Sequence, residues 1–323
     1  MWIESRLERD SRFPELARLE PATVSLCAVA LKVQGRRLGA LRFSFNDPRL
    51  FDDDERRFAL TLAAQTAQAL DRAQVQQSRI DASTRLQRSL LPPSLPIIPG
   101  LDAAAVYHPL GDGIEVGGDF SDLWKIDEEV YGLAIGDVVG TGPEAAALTA
   151  LVRYSLRALT LRGGEVSTTL LALNDALRGA AADPGTSETF CTAIFGTVRL
   201  CGPRVEVVLA SGGHPLPLVH RANGQVQEVP LGGTLLGPLP VIHIATAHLT
   251  LEPGDMLVLF TDGVTEARRE DGKMFDSDGI QRILAGSRMS ARQTVEALEA
   301  AVLEYVGGVL ADDVAALVLR VAP

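Results

Sequence analysis

The chain has 323 residues, of which 46% are hydrophobic and 22% charged, with a formal net charge of −11 at pH 7. This length allows two domains with a sizeable core, and the negative charge excludes nucleic acid as a natural partner and favours divalent cations. No apolar run approaches the roughly 20 residues of a membrane span, and residues 1–30 lack the apolar core of a secretory signal. We therefore predict a cytoplasmic protein that does not interact with membranes.

The three cysteines, Cys27, Cys191 and Cys201, are widely spaced, and none stands in a CxxC pair. This spacing argues against a disulfide framework and against a zinc site. We expect buried free thiols.

Residues 24–73 predict two strands joined by a turn at Gln34-Gly35, followed by an acidic loop and a helix. The strand GALRFSF, the segment FDDDERRF and the Ala-rich helix resemble the C-terminal half of a GAF domain. The upstream strands and helix of a sensory pocket would have no room after Met1. We therefore expect a partial, α/β GAF-like domain in residues 1–73 that does not bind a small ligand.

A helical stretch with few breakers extends from about Glu55 to Leu91, and prolines from Pro92 onward end it. Its apolar residues form only a weak heptad pattern. The stretch is either a solvated spacer or a parallel dimer helix between two functional domains. We assign residues 74–95 as a linker helix and expect a homodimer through it.

Residues 96–323 contain more strand-like runs than helices. The runs are apolar, rich in β-branched residues and bounded by Gly, Pro or Asp; they are YGLAIGDVV, CTAIFGTVRL, VEVVLAS, DMLVLFTDG and VAALVLRV. Helices are predicted near 142–162, 166–181 and 290–306. The grouping indicates an α+β fold, an antiparallel sandwich flanked by helices, rather than a doubly wound sheet.

Four acidic residues share one setting, at the end of an apolar strand or beside a small or turn-forming residue. They are Asp119 in EVGGDFSDLW, Asp137 in IGDVVGTG, Asp262 in LFTDGVTEA and Asp312 in ADDVAALVLR. Carboxylates without Cys or His ligands favour Mg²⁺ or Mn²⁺, and two such ions about 4 Å apart could activate a water for phosphoryl displacement. Each aspartate alone also suits an ordinary turn, and spacing does not show that the four converge.

Five blocks, EVGGDFSDLW, GDVVGTGPEAA, SGGHPLPLV, LFTDGVTEA and DDVAALVLR, resemble in this order the SpoIIE/RsbU-type branch of the metal-dependent PPM protein serine/threonine phosphatases. The resemblance covers residues 86–321 and implies a PPM-type phosphatase domain in residues 96–323. It implies that Asp137 bridges two Mn²⁺ or Mg²⁺ ions and that the Val138 carbonyl assists. It also implies that Asp119, Asp262 and Asp312 complete the ligand set, with Asp137 and Asp262 essential for catalysis.

Residues beside these aspartates allow alternatives. Asp122 and Asp313 either orient the ligands or the water or are surface turn charges. Thr141 and Ser121 stand where family members commonly carry His and Tyr. A histidine general acid is therefore absent at the turn that carries Thr141.

The glycines and histidines near the motifs favour structural roles. Gly140 and Gly142 shape a tight turn rather than bind phosphate at the following helix. His214 is flanked by Gly and Pro, which favours a turn held by a hydrogen-bonded imidazole over catalysis. Surface or packing roles suffice for the remaining histidines, which are His108, His220, His243 and His248.

Parts of the sequence also suggest two rival functions. The GGDF sequence resembles the GGDEF motif of nucleotide cyclases, but Asp119-Phe120-Ser121 follows the two glycines and breaks the required order. A pseudophosphatase that only binds its partner is suggested by Thr141 and by the partial sensor domain, whereas the four acidic residues argue against it.

The family resemblance also implies the substrate. It is a regulatory protein phosphorylated on serine or threonine, of the anti-sigma-factor antagonist type. No kinase-like domain follows Pro323 in the sequence. We therefore expect the cognate anti-sigma kinase on a separate chain.

Overall fold

The computed structural model describes residues 1–90, 95–110, 117–161, 163–181, 189–285 and 288–323, with the backbone alone for 79–90. The chain forms two compact units, Met1–Asp81 and Ala82–Pro323. The division falls inside the predicted linker 74–95, whose own boundaries stay a prediction. None of the helices in the described ranges combines the length and the apolarity that crossing a bilayer takes.

The first unit contains a three-stranded antiparallel sheet in the order β1-β2-β3. Its elements are β1 (Trp2–Ile3), α1 (Arg6–Arg12), α2 (Pro14–Leu19), β2 (Ser25–Val33), β3 (Arg36–Phe45) and α3 (Asp53–Leu90). Gln34 and Gly35 both have positive φ, 47° and 83°, as a type I′ hairpin turn requires. The predicted strand, turn, strand and helix are confirmed, whereas β1, α1 and α2 are too short to show a period in the sequence.

Small residues allow α3 to lie close to this sheet. Ala59, Ala63 and Ala67 recur every four residues and so share one helix face. All three are buried in the same cluster as alternate residues of β2, Cys27 to Leu31. This alternation follows from the period of two along a strand.

The cysteines are free in the described residues. Cys27 and Cys191 are buried, as predicted, and burial raises the pKa of both thiols. Cys201 is only partly buried, because it ends a strand at a turn, so the prediction was wrong for its burial.

The second unit contains two five-stranded antiparallel sheets, in the orders β10-β9-β12-β13-β4 and β11-β8-β7-β6-β5. The strands are β4 (Leu101–His108), β5 (Asp119–Lys125), β6 (Val130–Val138), β7 (Cys191–Cys201), β8 (Arg204–Gly212), β9 (Leu218–His220), β10 (Val226–Glu228), β11 (Ala245–Leu251), β12 (Met256–Phe260) and β13 (Val314–Val321). The helices are α4 (Gly142–Thr160), α5 (Val166–Ala181), α6 (Asp262–Thr265), α7 (Asp276–Leu284) and α8 (Ala291–Tyr305).

The central strands β6, β12 and β13 are buried on both faces, which explains why they are continuous apolar runs. In β12, Leu257 and Leu259 pack into the core between the sheets, whereas Val258 and Phe260 pack with residues of α7 and α8. In the other sheet, Ala134 of β6 packs with residues of α4 and α5. The result is a sandwich with helices on both outer faces, as predicted for the α+β, PPM-type fold.

Three of the helices in this unit were predicted to within two residues, and α8 has the expected start signal. Ser290 caps α8 by accepting a hydrogen bond from the backbone N–H of Gln293, whose side chain bonds back to Ser290. The short helices α6 and α7 were not predicted. Helix α6 begins at Asp262, whereas the sequence predicted that the preceding strand extends to this residue.

Candidate metal centre

Asp119 and Asp137 are brought together by the register of one strand pair. Asp119 is the first residue of β5, Asp137 is the penultimate residue of β6, and the two lie directly opposite each other. Directly opposite residues of an antiparallel pair project to the same face, with Cβ atoms about 4.5–5.5 Å apart. The hairpin therefore places two carboxylates side by side at one end of the sandwich.

Asp262 reaches this pair from the other sheet. It begins α6, two residues after the end of β12. One carboxylate oxygen from each of Asp119, Asp137 and Asp262 lies within 4.8 Å of the other two. The structure thus shows the convergence that spacing in the sequence could not establish.

Asp312 lies at the margin of this cluster. It is exposed in the loop before β13, and it is not one of the three residues whose oxygens lie within 4.8 Å. Its charge nevertheless contributes to raising the pKa of Asp137 and of Asp262. Its Oδ1 accepts a hydrogen bond of 2.8 Å from the backbone N–H of Asp313, which holds the side chain close to the loop.

Asp313 is buried, at 4% exposure, so it is not a surface turn charge. Its Oδ1 accepts a hydrogen bond of 2.7 Å from the backbone N–H of Leu110. Burial raises the pKa of its carboxyl, and hydrogen bonds from the backbone of Leu110, Gly118 and Asp119 act in the opposite direction. Asp313 therefore holds in place the backbone segment that carries Asp119.

Asp122 matches neither of its two predicted roles. It is 1% exposed and lies on the face of β5 opposite to Asp119. Its two oxygens accept hydrogen bonds from Arg157, at 2.7 and 2.8 Å, and one oxygen lies 3.4 Å from Arg153. Asp122 therefore anchors α4 to β5. The signal in the sequence was the pair Arg153 and Arg157, four residues apart on α4.

Gly118 lies so close to the cluster that a larger residue would not fit at this position. A Cβ at this position would lie 2.1 Å from the carbonyl oxygen of Val138 and 2.5 Å from Oδ1 of Asp137. The two oxygens therefore lie close together beside the Gly118 backbone. Hard cations bind to oxygen ligands, so the residues present fit Mg²⁺ or Mn²⁺, and the role of the Val138 carbonyl stays a prediction.

The three carboxyl groups lie together without a basic group beside them in the described residues. The pKa of Asp119 lies well above its usual value because of burial and then of the Asp137 charge. Burial, followed by the charges of Asp262 and Asp312, raises the pKa of Asp137 to about 7. Burial also raises the pKa of Asp262. None of these carboxylates has a basic ion-pair partner in the described part of the chain, which favours a cation between them.

The turn after β6 has the structural role predicted for it. Gly140 and Gly142 have φ of 93° and 80°, a conformation that glycine adopts without strain. Thr141 precedes α4 as an exposed residue, and its side chain makes no capping hydrogen bond to the helix.

His214 is buried and neutral rather than poised as an acid. It is 5% exposed, and burial lowers its pKa to about 3. Its Nδ1 lies 2.8 Å from Oγ1 of Thr192, and its backbone N–H donates to Oγ of Ser211 at 3.3 Å. These contacts agree with the predicted hydrogen-bonded imidazole in a turn. His108 pairs with Glu299 at the surface.

One residue of the site was missed at the sequence level. Thr261 is 0% exposed, and its hydroxyl lies 2.6 Å from Oδ2 of Asp119. The signal was a polar residue at the end of the apolar run MLVLF, but a threonine beside an aspartate also suits an ordinary helix start.

Comparison with known proteins gives two family matches. The model of the family described as Stage II sporulation protein E (SpoIIE) matches residues 127–322, and the GAF domain model matches residues 2–70. The SpoIIE match includes Asp137, Asp262 and Asp312, whereas Asp119 lies just before it.

Individual relatives agree with these matches. Phosphoserine phosphatase RsbU of Bacillus subtilis (strain 168) is 28% identical over 244 residues, which are 75% of this chain and 70% of RsbU. The crystal structure of the RsbU and RsbW domains of Rv1364c from Mycobacterium tuberculosis has a TM-score of 0.58 and 27% identity, covering 72% of this chain and 64% of that one. The SiaA-PP2C domain of Pseudomonas aeruginosa has a TM-score of 0.63 and 22% identity, covering 78% of this chain and 99% of that one.

The SpoIIE match spans more than half of the chain and lies entirely within the second unit, and the GAF match lies within the first. The SiaA-PP2C likeness shows that the sandwich with outer helices is the PP2C fold. The chain belongs to the SpoIIE family of PPM-type protein serine/threonine phosphatases and carries a GAF domain region ahead of its phosphatase domain.

Proposed function

We propose that this phosphatase removes phosphate from serine or threonine of a regulatory protein, of the anti-sigma-factor antagonist type, with the help of two Mn²⁺ or Mg²⁺ ions. The ligands are Asp119, Asp137, Asp262 and Asp312 together with the carbonyl oxygen of Val138. The observation that carries the proposal is the cluster of three carboxylates within 4.8 Å, to which both sheets contribute. Among the residues that the structure describes, it has no basic ion-pair partner.

The position of each carboxylate supports its role in the site. The charges of both Asp262 and Asp312 act on Asp137, which supports a bridging place for Asp137 between two ions. Asp119 is 7% exposed, Asp137 and Asp262 are partly exposed and Asp312 is exposed. A phosphorylated side chain of a protein substrate can therefore approach from the Asp312 side. When bound, the ions supply an acidified water and neutralise phosphoryl oxygens.

The substrate assignment is supported by relatives and not by a pocket of this chain. RsbU is named a phosphoserine phosphatase, and the structure of Rv1364c joins an RsbU domain to an RsbW domain. The cytoplasmic location inferred from the sequence stays a prediction.

The C-terminal part of α3 belongs to the predicted linker helix. Residues 74–95 pair with their copy in a homodimer, with a solvated spacer as the alternative. A single unbroken helix from Asp53 to Leu90 supports this proposal, and the prolines that end the predicted stretch, Pro92 and Pro93, lie outside the described residues.

The function is tested by titrating Mn²⁺ into the full chain with a phosphoserine protein substrate, while phosphate release and Mn²⁺ binding are both measured. We expect phosphate release to saturate at the same Mn²⁺ concentration as Mn²⁺ binding. A chain that binds Mn²⁺ and the phosphoprotein without releasing phosphate at any metal concentration is the pseudophosphatase, and the proposed reaction is then wrong.

A further inference from the structure

Thr261 occupies a buried position between the two sheets at the carboxylate cluster. It follows the end of β12 and precedes Asp262. Its Oγ1 lies 2.6 Å from Oδ2 of Asp119, at the start of β5, and 3.0 Å from the backbone nitrogen of Ala315 in β13. Because β5 belongs to one sheet and β12 and β13 to the other, this hydroxyl joins the sheets at the site.

The direction of these hydrogen bonds follows from the groups present. The backbone N–H of Ala315 can only donate, so Oγ1 of Thr261 accepts from it. The hydroxyl has a single proton, and Oδ2 of Asp119 at 2.6 Å is a nearer acceptor than the carbonyl oxygen of Ala315 at 3.4 Å. Thr261 therefore donates to Asp119, and a hydroxyl–carboxylate bond of this kind is stronger than a neutral one.

We propose that Thr261 is a positioning residue that sets the cation affinity of the site. Its hydroxyl occupies Oδ2 of Asp119 and leaves Oδ1 for a cation. The β-branched side chain is stiff about χ1, and the Ala315 N–H fixes the rotamer further. The inference rests on the proposed function, because it takes Asp119 to be a metal ligand. Groups that orient a ligand in this way typically contribute 10–100-fold to metal affinity.

Two variants separate positioning from simple packing. Thr261→Val keeps the shape of the side chain and removes the hydroxyl, whereas Thr261→Ser keeps the hydroxyl and removes a methyl group. A packing role predicts that Thr261→Ser, which loses a buried methyl group, lowers Tm and that neither variant changes the affinity for Mn²⁺. A positioning role predicts weaker Mn²⁺ binding for Thr261→Val alone.

Thr294 offers a matched control in the same unit. It is also 0% exposed, and its hydroxyl donates to the Ser290 carbonyl at 2.9 Å within α8. It contacts Met256 at the other end of β12, roughly 16 Å along the strand from Thr261 at about 3.3 Å per residue. Thr294→Val removes a buried hydroxyl away from the cluster.

The test uses the full chain and Mn²⁺ alone, with binding followed by the electron paramagnetic resonance signal of free Mn²⁺ and by the Mn²⁺-induced rise in Tm. We expect Thr261→Val to weaken binding about 10-fold or more, and Thr261→Ser and Thr294→Val to bind as the original chain does. If Thr261→Val is insoluble, Thr261→Cys, a weak donor, is expected to weaken binding in the same direction.

Two results would overturn the inference in distinguishable ways. If the original chain binds Mn²⁺ and Thr261→Val or Thr261→Cys binds it equally well, the positioning role is wrong and the proposed function stands. If the original chain binds no Mn²⁺, the metal site itself is wrong, and the role of Thr261 fails with it.

Discussion

Asp119 and Asp137 face each other across the last pair of the β5–β6 ladder. The same register pairs Leu123 with Leu133, both buried in the core between the sheets. A slip by one residue would turn these apolar residues away from the core, so the packing of the core fixes the two acids in place. The fold thus holds together two carboxylates that repel each other.

Gly118→Ala is expected to weaken Mn²⁺ binding about 10-fold or more, because the added methyl would lie 2.1 Å from the Val138 carbonyl oxygen and must displace it. Calorimetric titration with Mn²⁺ measures the change. Gly232→Ala is the control, since a Cβ there meets nothing within 4 Å. Unchanged affinity in Gly118→Ala would remove the Val138 carbonyl from the ligand set.

The metal-free chain should lose stability as the pH rises through the interval between 3.8 and about 7, the usual and the folded pKa of Asp137. In that interval the folded state binds more protons than the unfolded state, so unfolding becomes easier as protons are removed. Scanning calorimetry in chelator should show a Tm that falls from pH 5.5 to pH 8 by more in the original chain than in Asp137→Asn. Saturating Mn²⁺ should abolish the difference, and equal slopes without metal would contradict this account.

Asp122→Ala should destabilise the phosphatase domain by about 3–5 kcal/mol, because it removes a buried carboxylate that accepts hydrogen bonds from Arg157 and Arg153 of α4. Urea unfolding measures the loss. The double variant Asp122→Leu with Arg153→Met should recover part of the stability. A loss below 1 kcal/mol would show that Asp122 does not anchor α4.

The linker proposal predicts a dimer of the full chain that depends on α3. Val75 is an exposed apolar residue of that helix, at 45% exposure, and Val75→Glu should shift the mass measured by light scattering towards the monomer. Arg72→Glu, which removes no apolar residue, is the control. A full chain that is monomeric and has the same Mn²⁺ dependence as residues 96–323 would leave the helix as a spacer.

The sequence predicted the strands and long helices of the phosphatase domain because the central strands are buried on both faces and the apolar runs are continuous. It identified Asp119, Asp137 and Asp262 as candidates through their place beside Gly at strand ends. Their convergence depends on which strands neighbour each other, and that arrangement is set by contacts between residues more than 100 positions apart, such as Thr261 and Asp119.

Two further features could not be predicted from local pattern. Asp122 stands three residues after Asp119, and only the alternation of a strand places it on the other face, where Arg153 and Arg157 of α4 meet it. In α6, four residues long, no helical period is visible, so the sequence placed Asp262 at the end of a strand rather than at the start of a helix.

In the proposed metal centre, Asp137 is the residue that both ions would share. Phosphate release and Mn²⁺ binding should be measured side by side for the full chain, for Asp137→Asn and Asp262→Asn, and for Asp127→Asn, an exposed aspartate at the far end of the same hairpin. We predict that Asp137→Asn and Asp262→Asn fold but lose about 100-fold or more in Mn²⁺ affinity and in turnover, because a neutral amide is a poor ligand for hard cations. Asp127→Asn should bind Mn²⁺ and release phosphate as the original chain does. Near-normal turnover of Asp137→Asn at saturating Mn²⁺ would contradict the metal centre proposed here.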